Sequence, residues 1–114
     1  MSSELEIAQF SFIQDVALLI QHIFESKYQC TFGETYRTLE QAQWYAKKGL
    51  GIVDSLHCKR LAVDLNLFDK NGVYLTDEKS YEQFGIYWES LSPFNHWGGR
   101  FTRKDFDHFE RRYE

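Results

Sequence analysis

Cysteine is scarce in this chain of 114 residues, which contains only Cys30 and Cys58 and no Cys-x-x-C pair. A zinc ribbon and a thioredoxin-like redox motif both need such a pair, so neither class is supported. Because the two thiols are isolated and no export signal precedes them, we expect both cysteines to be reduced.

A continuous hydrophobic run is also missing. Apolar residues near the N-terminus are spaced rather than continuous, and Glu4, Glu6 and Asp15 interrupt them. A signal peptide needs a basic start before an apolar run, and a membrane span needs ~20 mostly apolar residues. We therefore expect a protein that is made in the cytoplasm without a signal peptide and without membrane insertion.

Net positive charge is lacking as well. The formal net charge is −4 and the isoelectric point is about 5.5. Nucleic-acid-binding domains usually carry an excess of Lys and Arg on one face, so nucleic acid is disfavoured as the main partner. The basic residues near the C-terminus alternate with Asp and Glu, which is typical of a solvated face.

No internal repeat, low-complexity tract or linker divides the chain. A length of 114 residues is enough for one compact domain and too short for two. Apolar residues make up 43% of the chain and aromatic residues 18%, enough to build a core. We therefore predict a single domain over residues 1–114, acting as a monomer.

The hydrophobic pattern predicts an α+β domain with a small antiparallel sheet flanked by helices. Apolar residues recur at helical intervals near the N-terminus, at Ile7, Phe10, Ile13, Ala17, Ile20, Ile23 and Phe24, so these predict the apolar face of the first helix. Thr38 is expected to cap the second helix, and Thr76 or Asp77 the third. The predicted helices are 7–27, 39–48 and 78–91; the predicted strands are 29–36, 61–68, 73–75 and 106–110.

The strand over 61–68 carries one conspicuous acid. Its residues alternate, so Leu61, Val63, Leu65 and Leu67 face one way and Asp64 faces the other. A carboxylate on so apolar a strand must face a cleft or a cation. His57 ends the preceding loop, and His108 lies on the final strand. Two histidines and a carboxylate are the ligand set of a catalytic zinc site, whose fourth position is left to water.

Two further residues fit hydrolytic chemistry at such a site. Asp105, three residues before His108, is placed to accept a proton from water and pass it to a leaving amine. Arg37 follows the early strand and is placed to hold a carbonyl oxygen as it becomes an oxyanion. Plainer alternatives remain open: Asp64 as an edge-strand acid, Asp105 as a cap, and His96 as either a ligand or an aromatic packing residue.

The joint pattern resembles a known family of zinc peptidases. The residues that carry the resemblance are Ser55-x-His57, Ala62-x-Asp64 and Asp105-x-x-His108, with supporting stretches at 33–38, 40–41, 57–66, 97–101 and 108–110. They are similar to the D-alanyl-D-alanine carboxypeptidase and L-alanyl-D-glutamate endopeptidase family, peptidase family M15, and in particular to its phage endolysin branch. The resemblance spans roughly residues 30 to 110, most of the chain.

The resemblance implies roles for five residues. The resemblance implies that His57, Asp64 and His108 are ligands of Zn²⁺. It implies that Asp105 is the general base and acid and that Arg37 stabilises the oxyanion. The implied fold is the small α+β fold shared with the hedgehog signalling domain. The implied substrate is a peptide bond in a peptidoglycan stem peptide, and the implied setting is phage or prophage lysis or cell-wall remodelling.

Arg60 departs from the family pattern, which has glycine three residues after the first histidine. Glycine there permits unusual backbone angles, so Arg60 implies either a different local path or an added contact with an anionic substrate. We assign Arg60, together with Ser55 and Trp97, to substrate binding.

The identity of the scissile bond is left open by the sequence. Action on the cell wall is expected after release, or else within the host cytoplasm. The competing interpretation is a non-catalytic zinc-stabilised binding or virion module on the same fold. Asp105 and Arg37 argue against it, because a purely structural zinc site needs neither.

Overall fold

The computed structural model describes residues 3–51 and 55–113. Within them the chain is an α+β domain, which confirms the predicted fold class. The helices are α1 (Glu4–Glu25), α2 (Leu39–Lys47) and α3 (Glu78–Leu91). The strands are β1 (Gln29–Phe32), β2 (Ala62–Phe68), β3 (Tyr74–Leu75), β4 (Asn95–Trp97) and β5 (His108–Arg111), with short 3₁₀ helices at Leu56–Lys59 and Gly98–Arg100.

Side-chain caps fix where the three α-helices begin. Ser3 forms a reciprocal capping box with Glu6 at the start of α1. The Thr38 hydroxyl accepts from the Gln41 N–H at 3.1 Å, and Asp77 caps α3, so both predicted caps are confirmed. Gly49 follows α2 with a φ of 71°, the left-handed conformation that commonly ends a helix.

The sheet is antiparallel and centred on β2. Its strand order is β1-β2-β5-β4, and β3 pairs with the end of β2 after a tight hairpin. Leu61, Val63, Leu65 and Leu67 are all buried, which confirms the predicted alternation along this strand. The alternate face of β2 therefore remains available for Asp64.

β1 ends four residues earlier than the predicted strand over 29–36 because the backbone pairing becomes irregular there. The Gly33 N–H donates to the Asp64 carbonyl at 2.7 Å, while the Asp64 N–H donates to the Glu34 carbonyl at 2.8 Å. Two residues on one side thus face one residue on the other, which is the pattern of a β-bulge. A bulge bends the strand and redirects its side chains, and this one brings the segment 33–37 alongside Asp64.

The core lies between α1, α3 and the apolar face of the sheet. Its largest fully buried side chains are Trp88, Trp97, Phe84 and Phe109. The two indole N–H groups donate to the Glu110 and Phe106 carbonyls, so the buried tryptophans leave no donor unpaired. Burial of one such large apolar side chain stabilises the fold by about 1.5–3 kcal/mol.

The predicted apolar face of α1 is largely wrong. The buried residues are Ala8, Phe12, Val16, Leu19 and Ile23, whereas the predicted Ile7, Phe10, Ile13 and Phe24 are about half exposed. This helix is apolar on more than one side, so periodicity alone selects two stripes and packing decides between them. By length and composition α1 would also pass as a membrane span, a test that core helices of soluble proteins pass too.

Arg60 takes the conformation expected of the glycine it replaces. It closes the helix Leu56–Lys59 with φ 56° and ψ 37°, in the left-handed region. Arg60 thus adopts a backbone conformation that usually favours glycine. Its guanidinium lies 4.1 Å from the centre of the Tyr36 ring, a cation–π contact that offsets part of the backbone cost.

We predict that Arg60→Gly is more stable than Arg60→Ala by about 1 kcal/mol, because only the alanine keeps the left-handed strain. Both variants lose the contact with Tyr36, so the difference between their free energies of unfolding isolates the effect of backbone conformation. Urea unfolding measures it. The same pair of substitutions at Lys70, which has no positive φ, should show no advantage for glycine. Equal stability of the two Arg60 variants would contradict the prediction.

Candidate metal centre

Three of the predicted site residues converge at one point. One ligand atom from each of His57, Asp64 and His108 lies within 4.8 Å of the others. The Asp64 Oδ1 atom is 3.4 Å from His57 Nε2 and 3.2 Å from His108 Nδ1. The two imidazole rings meet edge to face with their centres 5.0 Å apart.

Secondary structure explains this convergence. Asp64 on β2 and His108 on β5 are directly opposed in the antiparallel register, so their side chains leave the sheet on the same face. His57 lies in the 3₁₀ helix just before β2. The Ser55 hydroxyl accepts from the His57 N–H at 3.2 Å and caps that helix.

The outer nitrogens of the two rings face carboxylates. His108 Nε2 lies 2.7 Å from the Glu110 Oε1 atom, at hydrogen-bonding distance. His57 Nδ1 is buried and has no hydrogen-bond partner among the described residues, and the Glu34 Oε1 atom lies 3.6 Å from it. The inner nitrogens, His57 Nε2 and His108 Nδ1, are thereby turned toward Asp64.

The charges at this centre stabilise one another. Burial opposes ionisation of Asp64, but hydrogen bonds and charge from His108 and His57 outweigh it and lower its pKa to about 2. Burial likewise disfavours a charged His108, yet Asp64 and Glu110 raise its pKa to about 9. Burial acts against the Glu110 carboxylate too, and His108 and Arg112 nevertheless lower its pKa.

The donor set fits a metal ion. Two imidazole nitrogens and one carboxylate oxygen converge, and both histidine side chains are nearly inaccessible to solvent. The outer nitrogen of His108 lies at hydrogen-bonding distance from a carboxylate, the arrangement that orients histidine ligands in metal sites. Nitrogen and oxygen ligands in this ratio are those of catalytic zinc.

Asp105 lies at the rim of the centre. Its Oδ2 atom is 3.9 Å from His108 Nδ1, and its side chain is 55% exposed. Asp107 is a neighbour that the sequence analysis did not single out. Burial, and then the Asp105 carboxylate hydrogen-bonded to it, raise the pKa of Asp107 to about 7. Asp107 can therefore hold a proton near neutral pH and share it with Asp105 in a hydrogen bond.

Arg37 faces the same cleft from the bulged segment. Its Nε atom donates to Glu34 Oε1 at 2.9 Å, and Nη2 donates to the same oxygen. The guanidinium also lies 5.0 Å from the centre of the Tyr45 ring. The Arg37 N–H donates to the His57 carbonyl at 3.3 Å, so the backbone ties this residue to the metal centre.

An open cleft of about 820 Å³ lies above these residues. Besides the three converging residues, Asp105 and Arg37, three basic side chains line its wall. Those basic residues are Arg103, Lys104 and Arg112. Lys104 pairs with Glu78 and Arg112 pairs with Glu110, so acidic and basic groups lie side by side along the cleft.

The three residues assigned to substrate binding lie in different places. Ser55 lines the cleft, but its hydroxyl is buried and occupied by the His57 N–H. Arg60 lines a separate, apolar pocket beside α1. Trp97 is 2% exposed and its indole N–H donates to the Phe106 carbonyl. The structure thus does not bring Arg60 or Trp97 to the cleft, because one stacks on Tyr36 and the other fills the core.

Glu34, Asp107 and Glu110 are site residues that the sequence analysis missed. Glu110 lies two positions after His108 on the same strand, so strand alternation alone places both on one face. Asp107 adjoins a ligand. Glu34 has no comparable signal, because its position depends on the bulge opposite Asp64.

Comparison with known proteins finds a matching protein family. A peptidase M15 family model described as D-alanyl-D-alanine carboxypeptidase matches residues 48–111, more than half of the chain. Those residues include His57, Asp64, Asp105 and His108, whereas Arg37 lies before them. No curated protein matches the chain.

One similar solved structure is that of the Serratia marcescens L-Ala D-Glu endopeptidase ChiX. The TM-score is 0.72 at 19% sequence identity, and the match covers 99% of this chain and 90% of that chain. At this level of identity the similarity shows the shared fold.

We predict that metal binding releases about one proton near neutral pH. The raised pKa of His108 keeps its ring protonated in the metal-free protein, and a metal ligand must be deprotonated. Zinc affinity should therefore rise about tenfold per pH unit from pH ~7 to ~9 and then level off. Calorimetry in two buffers of different ionisation enthalpy measures the release, with His96→Gln as a control.

The metal-free protein should show the converse dependence of stability on pH. A folded-state pKa of about 9, above the ordinary value of 6.5, stabilises the fold fully below pH 6.5. That contribution is lost as pH rises through about 9.

For the metal-bound protein, a zinc affinity that does not change between pH ~7 and ~9 would contradict the assignment of His108 as a ligand.

Proposed function

The chain belongs to the peptidase M15 family described as D-alanyl-D-alanine carboxypeptidases, and we propose that it is a zinc-dependent peptidase that hydrolyses a peptide bond in bacterial peptidoglycan stem peptides. One observation carries the proposal. His57 Nε2, Asp64 Oδ1 and His108 Nδ1 converge at the base of a cleft whose rim carries Asp105. A zinc ion held by these three residues would supply a positive charge that acidifies water and polarises a carbonyl group.

Asp105 is the proposed general base and acid. Its carboxylate is the exposed acid beside the converging ligands, so it can reach a water molecule in the cleft. It takes a proton from that water as the peptide carbonyl is attacked and returns it to the leaving amine. Asp107, hydrogen-bonded to it, gives the pair a second place for a proton near neutral pH.

Arg37 is proposed to stabilise the oxyanion. Glu34 accepts from its Nε and Nη2 donors, and the N–H groups of Nη1 have no partner among residues 3–51 and 55–113, so we propose that they bind a substrate oxygen. The ion pair and the stacking on Tyr45 hold the guanidinium in place before substrate arrives. A donor positioned in advance stabilises the developing charge without reorganisation at the moment of reaction.

The substrate class follows from the cleft and the family. Stem peptides carry free carboxylates, and Arg103 in the cleft wall is proposed to pair with them, beside Lys104 and Arg112, which pair with Glu78 and Glu110. The candidate bonds are D-Ala-D-Ala, L-Ala-D-Glu and a cross-bridge bond. We propose a role in phage or prophage lysis or in cell-wall remodelling.

We predict that Asp105→Asn lowers kcat by about 10²- to 10⁴-fold while zinc binding is kept, because the substitution removes a proton acceptor and no ligand. Release of new amino groups from peptidoglycan, with mass spectrometry of defined stem peptides, measures the activity. Glu82→Gln, an exposed change on α3, is the matched control.

A chelator should abolish the activity and added zinc should restore it. If the wild-type protein releases no amino groups from any wall chemistry in the presence of zinc, the proposed function fails. The same holds if Asp105→Asn keeps full activity.

A further inference from the structure

Glu110 is a buried acid beside the metal centre that has no part in the hydrolytic steps above. It is 7% exposed, and both of its carboxylate oxygens are paired. Oε1 lies 2.7 Å from His108 Nε2, and Oε2 accepts from Arg112 Nε at 2.9 Å. A buried carboxylate with two such partners is held in one orientation.

The surroundings of Glu110 fix it further. In the β2–β5 register it stands opposite Ala62, whose small side chain leaves room for a carboxylate on that face. Its backbone carbonyl accepts from the buried Trp88 indole at 3.1 Å. The position of the Glu110 side chain is thus set by the sheet and the core.

This arrangement determines which nitrogen of His108 can bind a metal. A metal-binding imidazole keeps one proton. The Glu110 carboxylate, 2.7 Å from Nε2, accepts that proton in a hydrogen bond, so Nδ1 is the nitrogen that gives up its proton and offers a lone pair. The opposite holds at His57, where Nε2 faces Asp64 and Nδ1 faces Glu34. The two histidines therefore present different ring nitrogens.

We propose that Glu110 and Glu34 are positioning residues that hold His108 and His57 in opposite tautomers, so that Nδ1 of one ring and Nε2 of the other face the metal. This inference rests on the proposed function only in taking the centre to hold zinc. Glu110 is at hydrogen-bonding distance from its histidine, so we expect it to contribute more to zinc binding than Glu34 does.

Glu34 joins two parts of the site. The same Oε1 atom that lies 3.6 Å from His57 Nδ1 accepts two hydrogen bonds from Arg37. One carboxylate thus lies beside both a metal ligand and the proposed oxyanion donor, and the β-bulge opposite Asp64 brings it there. Glu34→Gln is expected to weaken zinc binding less than the Glu110 substitutions do.

Nitrogen-15 NMR of the two histidine rings in the zinc-loaded wild-type protein tests the tautomers directly. We expect His108 to be protonated at Nε2 and coordinated through Nδ1, and His57 to be protonated at Nδ1 and coordinated through Nε2. The same tautomer at both histidines would overturn the proposal. This readout needs no variant and no peptidase activity.

Zinc affinity by chelator competition tests the role of Glu110. We expect about a tenfold loss in Glu110→Gln, which keeps an oxygen acceptor, and about a hundredfold loss in Glu110→Ala, which keeps none. Glu82→Gln should match wild type. Partial recovery by glutamine over alanine distinguishes positioning from simple packing, and thermal unfolding of each metal-free variant checks the fold.

Unchanged affinity in a folded Glu110→Ala protein would contradict the positioning role. If that variant does not fold, the zinc affinity of Glu110→Gln and the histidine tautomers of the wild-type protein still test the positioning role. Failure of the proposed function is distinguishable, since an inactive wild-type protein that binds zinc with the expected tautomers would refute the peptidase and leave the positioning role standing.

Discussion

The pairing of Asp64 with His108 across β2 and β5 is the constraint on which the site depends. Their direct opposition in an antiparallel register brings a carboxylate and an imidazole to 3.2 Å without any long loop. The pair stands on the one face of β2 that the apolar core does not occupy. His57 approaches from the capped turn before the same strand, so a single strand organises all three side chains.

The charged side chains of the metal centre stabilise one another. A half-buried Asp64 carboxylate and a buried, charged His108 would destabilise the fold if they were unpaired, and here they face each other. Glu110 and Glu34 extend this pairing outward, and Arg112 and Arg37 balance them in turn. The centre is therefore a network of alternating charges, preformed around the space that a cation would fill.

Much of the fold follows from local sequence signals. The caps at Thr38 and Asp77, the left-handed Gly49 and the alternation of β2 are each decided by a few neighbouring residues. The phase of α1 is decided by tertiary packing, because Ile7, Phe10 and Ile13 form a stripe as regular as the buried one. The bulge at Gly33 is also non-local, since it depends on the backbone of Asp64.

The residues of the site also divide into those set by local sequence and those set by tertiary structure. Strand phase and motif spacing locate the site residues that could be predicted: His57, Asp64, His108 and Asp105. The position of Glu34 depends on the bulge, and the burial of Trp97 depends on packing in the core.

Anomalous diffraction at the zinc absorption edge, from crystals of the zinc-loaded protein, tests the central claim most directly. The account predicts one strong peak about 2.0–2.2 Å from His57 Nε2, Asp64 Oδ1 and His108 Nδ1. A peak elsewhere, or none at these three atoms, would contradict it.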